Sequence, residues 1–210
     1  MDVIEETVAL GRGRELSILR PRDSEALLDE KAFEHEEFLP YWAELWPSGP
    51  ALARALSGRS LGALRVVELG CGLGIPSIAA ALRGARVLAT DWSPEALRFT
   101  TLNARRNGVR VETALCSWSE PDVLVSRAPW HLVLASDVLY ERRNVDGLLE
   151  LLPRLVEGGD VLIADPGRPP AAAFLEGARR EWCVRSFPDR ASPRVSIHHL
   201  RRRAEPGPEG

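Results

Sequence analysis

The sequence predicts one α/β domain built on a doubly wound, mostly parallel seven-stranded sheet, with an antiparallel hairpin at one edge and a short N-terminal extension. Three observations carry this reading. The chain has 210 residues, the size of one such domain with room for a small addition. From residue 65 onward short apolar runs alternate with longer segments of helical periodicity, as repeated βαβ units require. The last two runs are joined by PDRASP, a connection suited to an antiparallel hairpin.

Taken in order, TVALGRGRELSILRP reads as two strands around a Gly-Arg-Gly turn, and Trp46 to Leu56 as a helix leading into the sheet. The strand candidates are RVVEL (65–69), RVLATD (86–91), RVETALC (110–116), HLVLASDVL (131–139) and DVLIAD (160–165), followed by WCVRSF and RVSIHHL. The segment IPSIAAALRGA supplies the first crossover helix. Ser93 as N-cap, Pro94 at the first helical position and Glu95 in the first turn open the next one, which runs to about Asn107 and stops at Gly108. A further helix begins near Asn144 and ends at Gly158 and Gly159, and Pro153 inside it predicts a kink or a break into two pieces. After Asp165, PGRPP makes a rigid loop and AAAFLEGARR a helix. The organisation is therefore a hairpin and cover segment over 1–45, the main domain over 46–203, and a disordered tail over 204–210.

Composition narrows the function. With 27 basic and 30 acidic residues the net charge is -3, so no overall field draws in a nucleic-acid backbone, and a nucleic-acid partner is not expected. Lys31 is the only lysine, a bias of composition in which arginine supplies nearly all the positive charge. No apolar run approaches the roughly 18 to 20 residues of a membrane helix, and the acidic first residues do not resemble a secretory leader. Cys71, Cys116 and Cys183 are odd in number and lack C-x-x-C spacing, which argues against a disulfide framework or zinc site and for a reducing cytoplasm. His198 and His199 are adjacent on a strand, face opposite ways and read as structural, so no metal is expected.

The segment that carries chemistry is Val66-Val67-Glu68-Leu69-Gly70-Cys71-Gly72-Leu73-Gly74, a strand running into a glycine turn and then a helix. Such a turn lets a ligand approach the backbone closely. Asp91 ends the next strand 21 residues after Gly70, where a ribose hydroxyl pair needs an acceptor. A dinucleotide fingerprint would need glycine at Ile75 and would set a pyrophosphate near Glu68. S-adenosylmethionine has no phosphate and carries an ammonium and a sulfonium, so a carboxylate there is attractive, and E-x-G-x-G-x-G fits it better.

On these residues the chain resembles the class I, seven-strand S-adenosylmethionine-dependent methyltransferases, a Rossmann-like family, over roughly residues 40 to 200. It looks most like their branch of small protein-lysine methyltransferases, which includes those acting on the electron-transfer flavoprotein β-subunit. The resemblance rests on Pro40-Tyr41-Trp42-Ala43-Glu44-Leu45-Trp46-Pro47, on the glycine loop with Asp91 and Trp92, and on Ser136-Asp137-Val138-Leu139-Tyr140, a D-x-x-Y type motif after the fourth parallel strand. It implies that Glu68, Gly70, Gly72 and Gly74 surround the methionine part, that Cys71 and Ser136 also line the cofactor, and that Asp91 binds the ribose. It also implies that Trp92 and Trp118 flank the adenine and that Trp46 covers the cofactor. Where the family pattern often has Asp before that second tryptophan, this chain has Ser117.

Methyl transfer from a sulfonium is an in-line displacement in which positioning and exclusion of water do most of the work. A lysine nucleophile has an ordinary pKa of about 10.4 and must be neutral to attack. Asp137, at the carboxyl end of a central strand, is the candidate to orient the amine, with Tyr140 shaping the channel and Trp42 and Tyr41 offering cation-π contacts. The expected partner is a protein substrate of a monomeric enzyme, with S-adenosylhomocysteine as product. The alternatives are a small-molecule N- or O-methyltransferase, or a cofactor-binding regulatory protein without turnover. The Asn/Asp-Pro-Pro-Tyr/Phe motif of enzymes acting on adenine or glutamine is missing after the fourth parallel strand, which disfavours that chemistry.

Overall fold

The structure, a computed structural model, describes residues 2–11, 13–24 and 40–203. Lys31, the cover segment between 25 and 39, and the tail over 204–210 lie outside the described residues. Strands β1 (Val3–Gly11) and β2 (Arg14–Pro21) form an antiparallel pair of their own. The main sheet contains β3 (Arg65–Leu69), β4 (Arg86–Asp91), β5 (Glu112–Leu115), β6 (Leu132–Ser136), β7 (Asp160–Asp165), β8 (Trp182–Pro188) and β9 (Ser196–Arg202), in the order β5-β4-β3-β6-β7-β9-β8. The first five in sequence are parallel, and β9 lies between β7 and β8, antiparallel to both. Around them pack α1 (Ser48–Ser57), α2 (Ile75–Leu82), α3 (Pro94–Arg106), α4 (Asp122–Val125), α5 (Arg142–Leu155) and α6 (Pro169–Ala178).

The central strands β3, β6 and β7 are mostly apolar because both of their faces are covered. Val66, Leu132, Leu134, Leu162 and Ala164 point to one core, where they meet Leu52, Leu56 and Ile78. Their neighbours Val67, Val133, Ala135, Val161 and Ile163 point to the other, against Leu148, Leu152 and Phe174. The strand order reverses between β3 and β6, so the connections leaving their carboxyl ends diverge and open a crevice there.

The hairpin is fastened to the first core by Val8, Leu10, Leu16 and Ile18. Its β2 edge is completed by two side-chain amides one helical turn apart, Asn103 on α3 and Asn107 at its C-cap. Asn103 Oδ1 accepts from Leu19 N at 2.8 Å while its Nδ2 donates to Leu19 O at 3.0 Å. Asn107 repeats the pattern on Ser17, accepting from N at 3.0 Å and donating to O at 2.8 Å. Two asparagines thus satisfy backbone groups that a bare strand edge would leave open.

Several elements differ from the sequence expectation. Pro153 does not break its helix: α5 starts two residues before Asn144 and runs unbroken to Leu155, with Pro153 in its last turn. The buried stripe of Val145, Leu148, Leu151, Leu152 and Leu155 holds it together, each buried leucine contributing about 1.5–3 kcal/mol against one lost hydrogen bond. Strand β6 stops at Ser136 because Asp137 turns into the left-handed region at φ 59°, so 137–139 are not strand. Helix α4 and the 3-10 turn at Tyr41–Ala43 were not anticipated, being too short for any period to show. His198 is buried and hydrogen-bonds Ser186 Oγ through Nδ1 at 2.8 Å, whereas His199 faces Asp160 at 2.9 Å. No helix among the described residues is long and apolar enough to cross a membrane.

Candidate functional site

The loop after β3 is made of glycines for two physical reasons. Gly70, Gly72 and Gly74 all hold positive φ, at 67°, 50° and 80°. Each is also crowded: a Cβ would lie 3.2 Å from Val138 Cγ1 at Gly70, 3.2 Å from Trp42 O at Gly72, and 2.7 Å from the Thr100 side chain at Gly74. Gly74→Ala is therefore expected to lower stability by about 1–3 kcal/mol. Thermal unfolding of the variant checks this, and an unchanged midpoint would contradict the loop geometry.

Two carboxylates stand behind the loop. Glu68 is fully buried, and its Oε2 accepts from both the backbone N at 2.9 Å and the hydroxyl of Ser77. Its Oε1 is buried with no partner among the described residues. Burial pushes the Glu68 carboxyl up to about 8, only partly offset by the Ser77 hydrogen bonds. Asp91, also buried, accepts Gly72 N on Oδ2 at 2.9 Å and Ser93 N on Oδ1 at 3.0 Å. It thus ties the glycine loop to the turn that caps α3, and burial raises it to about 6. Buried acids without a cation are costly, and an oxygen left unpartnered suits a ligand that brings one. Cys71 turns its sulfur onto Thr100 Oγ1 at 3.4 Å, and burial holds the thiol well above its ordinary range, so it stays protonated and offers the loop its backbone.

A second cluster sits at the end of β6. Asp137, only 8% exposed, accepts Ser48 N at 3.2 Å on Oδ2 and Arg168 Nη1 at 3.1 Å on Oδ1, and its own N donates to Ala164 O at 3.0 Å. Burial raises its carboxyl, and the Ser48 bond and the Arg168 charge restrain it. Arg168 is presented by a turn in which Asp165 Oδ1 accepts Gly167 N at 2.7 Å and Arg168 N at 2.8 Å. Its guanidinium lies 5.4 Å from the Trp46 ring centroid, a cation-π contact. Trp46 Nε1 donates to Tyr41 O at 2.7 Å, and the Tyr41 ring meets Trp46 at 6.3 Å and Tyr140 at 5.5 Å, both edge to face. Tyr41, Trp46 and Tyr140 are 41%, 37% and 38% exposed, so they wall an open mouth over a buried carboxylate.

The structure brings most of the expected residues to one edge. Glu68, Gly70, Cys71, Gly72, Gly74 and Asp91 form the loop and its supports. Trp118 is half-buried with its Cζ2 3.8 Å from the Cβ position of Gly70, Trp92 is exposed beside Asp91, and half-buried Ser136 leads into Asp137. The two tryptophans of the lead-in divide differently than expected. Trp42, expected among the aromatic residues of the amine site, runs its backbone against Gly72 and packs its ring on Phe99 at 5.5 Å. Trp46 stands over Arg168 beside Asp137. Sequence reasoning missed Arg168, Ser48 and Ser77. The signal for Arg168 was its place just after Asp165, in a loop leaving a carboxyl strand end, where PGRPP read only as a rigid connector.

The sequence model of the lysine methyltransferase family matches residues 37–172, a span holding the glycine loop, Asp91, Asp137 and Arg168. The electron transfer flavoprotein beta subunit lysine methyltransferase of Xenopus laevis is 38% identical over 134 residues, 61% of this chain and 53% of that protein. Its Danio rerio counterpart is 39% identical over 137 residues, 61% of this chain and 51% of that protein. The chain therefore spans about half the length of the curated relatives it matches. An rRNA methylase from Streptococcus thermophilus shares the fold, with a TM-score of 0.58 at 20% identity over 77% of this chain and 100% of that one.

Proposed function

The chain belongs to the lysine methyltransferase family, and from that premise we propose that it transfers a methyl group from S-adenosylmethionine to the ε-amine of a lysine in a protein substrate. The observation that supports the acceptor side is the aromatic mouth of Tyr41, Trp46 and Tyr140 over buried Asp137, set on the strand next to the glycine loop. On the donor side, the unpartnered Glu68 Oε1 is the acceptor for the methionine ammonium, and Gly70, Cys71, Gly72 and Gly74 border the chain that follows. Asp91 keeps lone pairs for ribose hydroxyls while holding the loop, and in this reading Trp92 and Trp118 flank the adenine. When bound, the cofactor supplies a methyl carbon activated by a positively charged sulfur.

The residues of this chain then do the positioning. Asp137 accepts a hydrogen bond from the amine and turns its lone pair toward the methyl carbon. The three aromatic rings pack on the aliphatic stem of the lysine and exclude water. The unpaired cysteines, Cys71 and Cys116 buried among them, suit the reducing cytoplasm we assign to the protein.

Incubating the protein with isotopically labelled methyl donor and a lysate of its source, then separating protein from small molecules, tests the reading. Label is expected in a discrete protein band and lost with Asp137→Ala. Label confined to small molecules would move the assignment to a metabolite methyltransferase, and cofactor binding without any label would refute catalysis.

A further inference from the structure

We propose that Arg168 cancels the charge of Asp137 at the acceptor site, so that a lysine side chain settles there as the free amine and not as ammonium. The inference rests on the lysine reading above. A carboxylate in an aromatic mouth by itself favours a bound cation, through opposite charge and ring faces alike. A lysine held that way keeps its proton, and its nitrogen has no lone pair with which to attack. The better such a site binds ammonium, the worse it serves methyl transfer.

Arg168 already fills both halves of that cation site. Its Nη1 is 3.1 Å from Asp137 Oδ1 and its guanidinium faces the Trp46 ring. Guanidinium stays charged at every working pH, so the pair is balanced throughout. The arrangement is built: Asp165, fully buried, spends one oxygen on the amides of Gly167 and Arg168 and fixes the turn that delivers the side chain. The other charged or titratable groups around this corner are Asp165 itself behind the turn, Tyr140 in the aromatic wall, Glu141 and Arg143 at the start of α5, and Asp91 across the crevice. Arg168 is the cation among them that contacts Asp137.

With the charge cancelled, Asp137 still offers lone pairs to orient an N–H. The amine sheds one proton to solvent on entry, its nitrogen bonds the methyl carbon as the carbon–sulfur bond breaks, and a methylated ammonium results. That new cation meets Arg168 as a like charge, which favours its release. Arg168 is thus a positioning residue, acting through Asp137.

The test uses n-butylammonium as a lysine side-chain mimic, titrated into wild type, R168Q, R168M, R168K and the double variant D137N/R168Q. We expect R168Q and R168M to bind it about tenfold tighter than wild type, R168K to match wild type, and the double variant to lose the gain. Equal binding by wild type and both neutral variants, or a gain that survives D137N, overturns the proposal. On the labelled acceptor protein, R168Q should be about tenfold slower near pH 7.5 and within about twofold of wild type near pH 9.5, because kcat follows ionisation in the complex. A uniform loss at every pH would mark Arg168 as structural only and overturn it too. Failure of the lysine reading shows separately, as wild-type protein that labels no lysine whatever the butylammonium result.

Discussion

Glu68→Gln should weaken S-adenosylmethionine binding by about thirtyfold to a few thousandfold, because truncating one side of a buried charge pair costs roughly 2–5 kcal/mol. The variant keeps the shape and the Ser77 contact but loses the charge that Oε1 offers. Titration calorimetry measures it, and a change below threefold would remove the ammonium from Glu68. The same residue makes binding pH-dependent. In the protein alone its carboxyl sits at about 8, and a cation at Oε1 pulls it down. Binding near pH 7 should therefore release about one proton in wild type and none from this position in Glu68→Gln, which calorimetry in buffers of different ionisation heat resolves.

The burial that raises Glu68 also raises Asp91, and together they make stability pH-dependent. Glu68 rises from 4.5 to about 8 and Asp91 from 3.8 to about 6 on folding. Folded values above unfolded ones mean that the contribution is fully present below about pH 4 and is lost as pH climbs through 6 and then 8. Without cofactor, the unfolding midpoint should fall across that window more steeply in wild type than in Glu68→Gln, and the cofactor should offset the fall. Melting curves from pH 5 to about 8.5 check this, and identical slopes in the two proteins would contradict it.

Asp137→Asn should leave cofactor affinity within about threefold of wild type yet lower kcat by about a hundredfold. Asparagine tolerates the left-handed backbone at this position and keeps an oxygen for Ser48 N, so the end of α1 stays in place. What is lost is the charged acceptor that turns the amine, together with the partner of Arg168. Asp91→Ala should do the opposite, weakening cofactor binding by releasing Gly72 N and Ser93 N as well as the ribose. Single-turnover rates and binding constants for both variants check the division. Equal loss of both properties in the two would dissolve it.

Much of this was legible in the sequence wherever a local rule acts alone. The run Val66 to Gly74 announces strand, turn and helix because buried parallel strands are apolar on both faces and the turn needs positive φ. Ser93 and Pro94 start α3 as their chemistry dictates, with Ser93 Oγ accepting Ala96 N at 3.2 Å. What stayed hidden depends on contacts distant in the chain. Nothing near Arg168 says that its side chain reaches Asp137, 31 residues away, or that Trp46 takes the ring face that Trp42 gives up to Phe99. Pro153 misled because a breaker in the last turn forfeits little while five buried apolar side chains hold the helix.

Whether this edge of the sheet delivers a methyl group to a lysine amine is decided by hydrolysing the labelled protein and identifying the modified amino acid. Label is expected in ε-N-methylated lysine, accumulating about a hundredfold more slowly when Asp137→Asn replaces wild type. Label in methylarginine, in a base-labile methyl ester or in an O-methylated small molecule would contradict lysine as the acceptor.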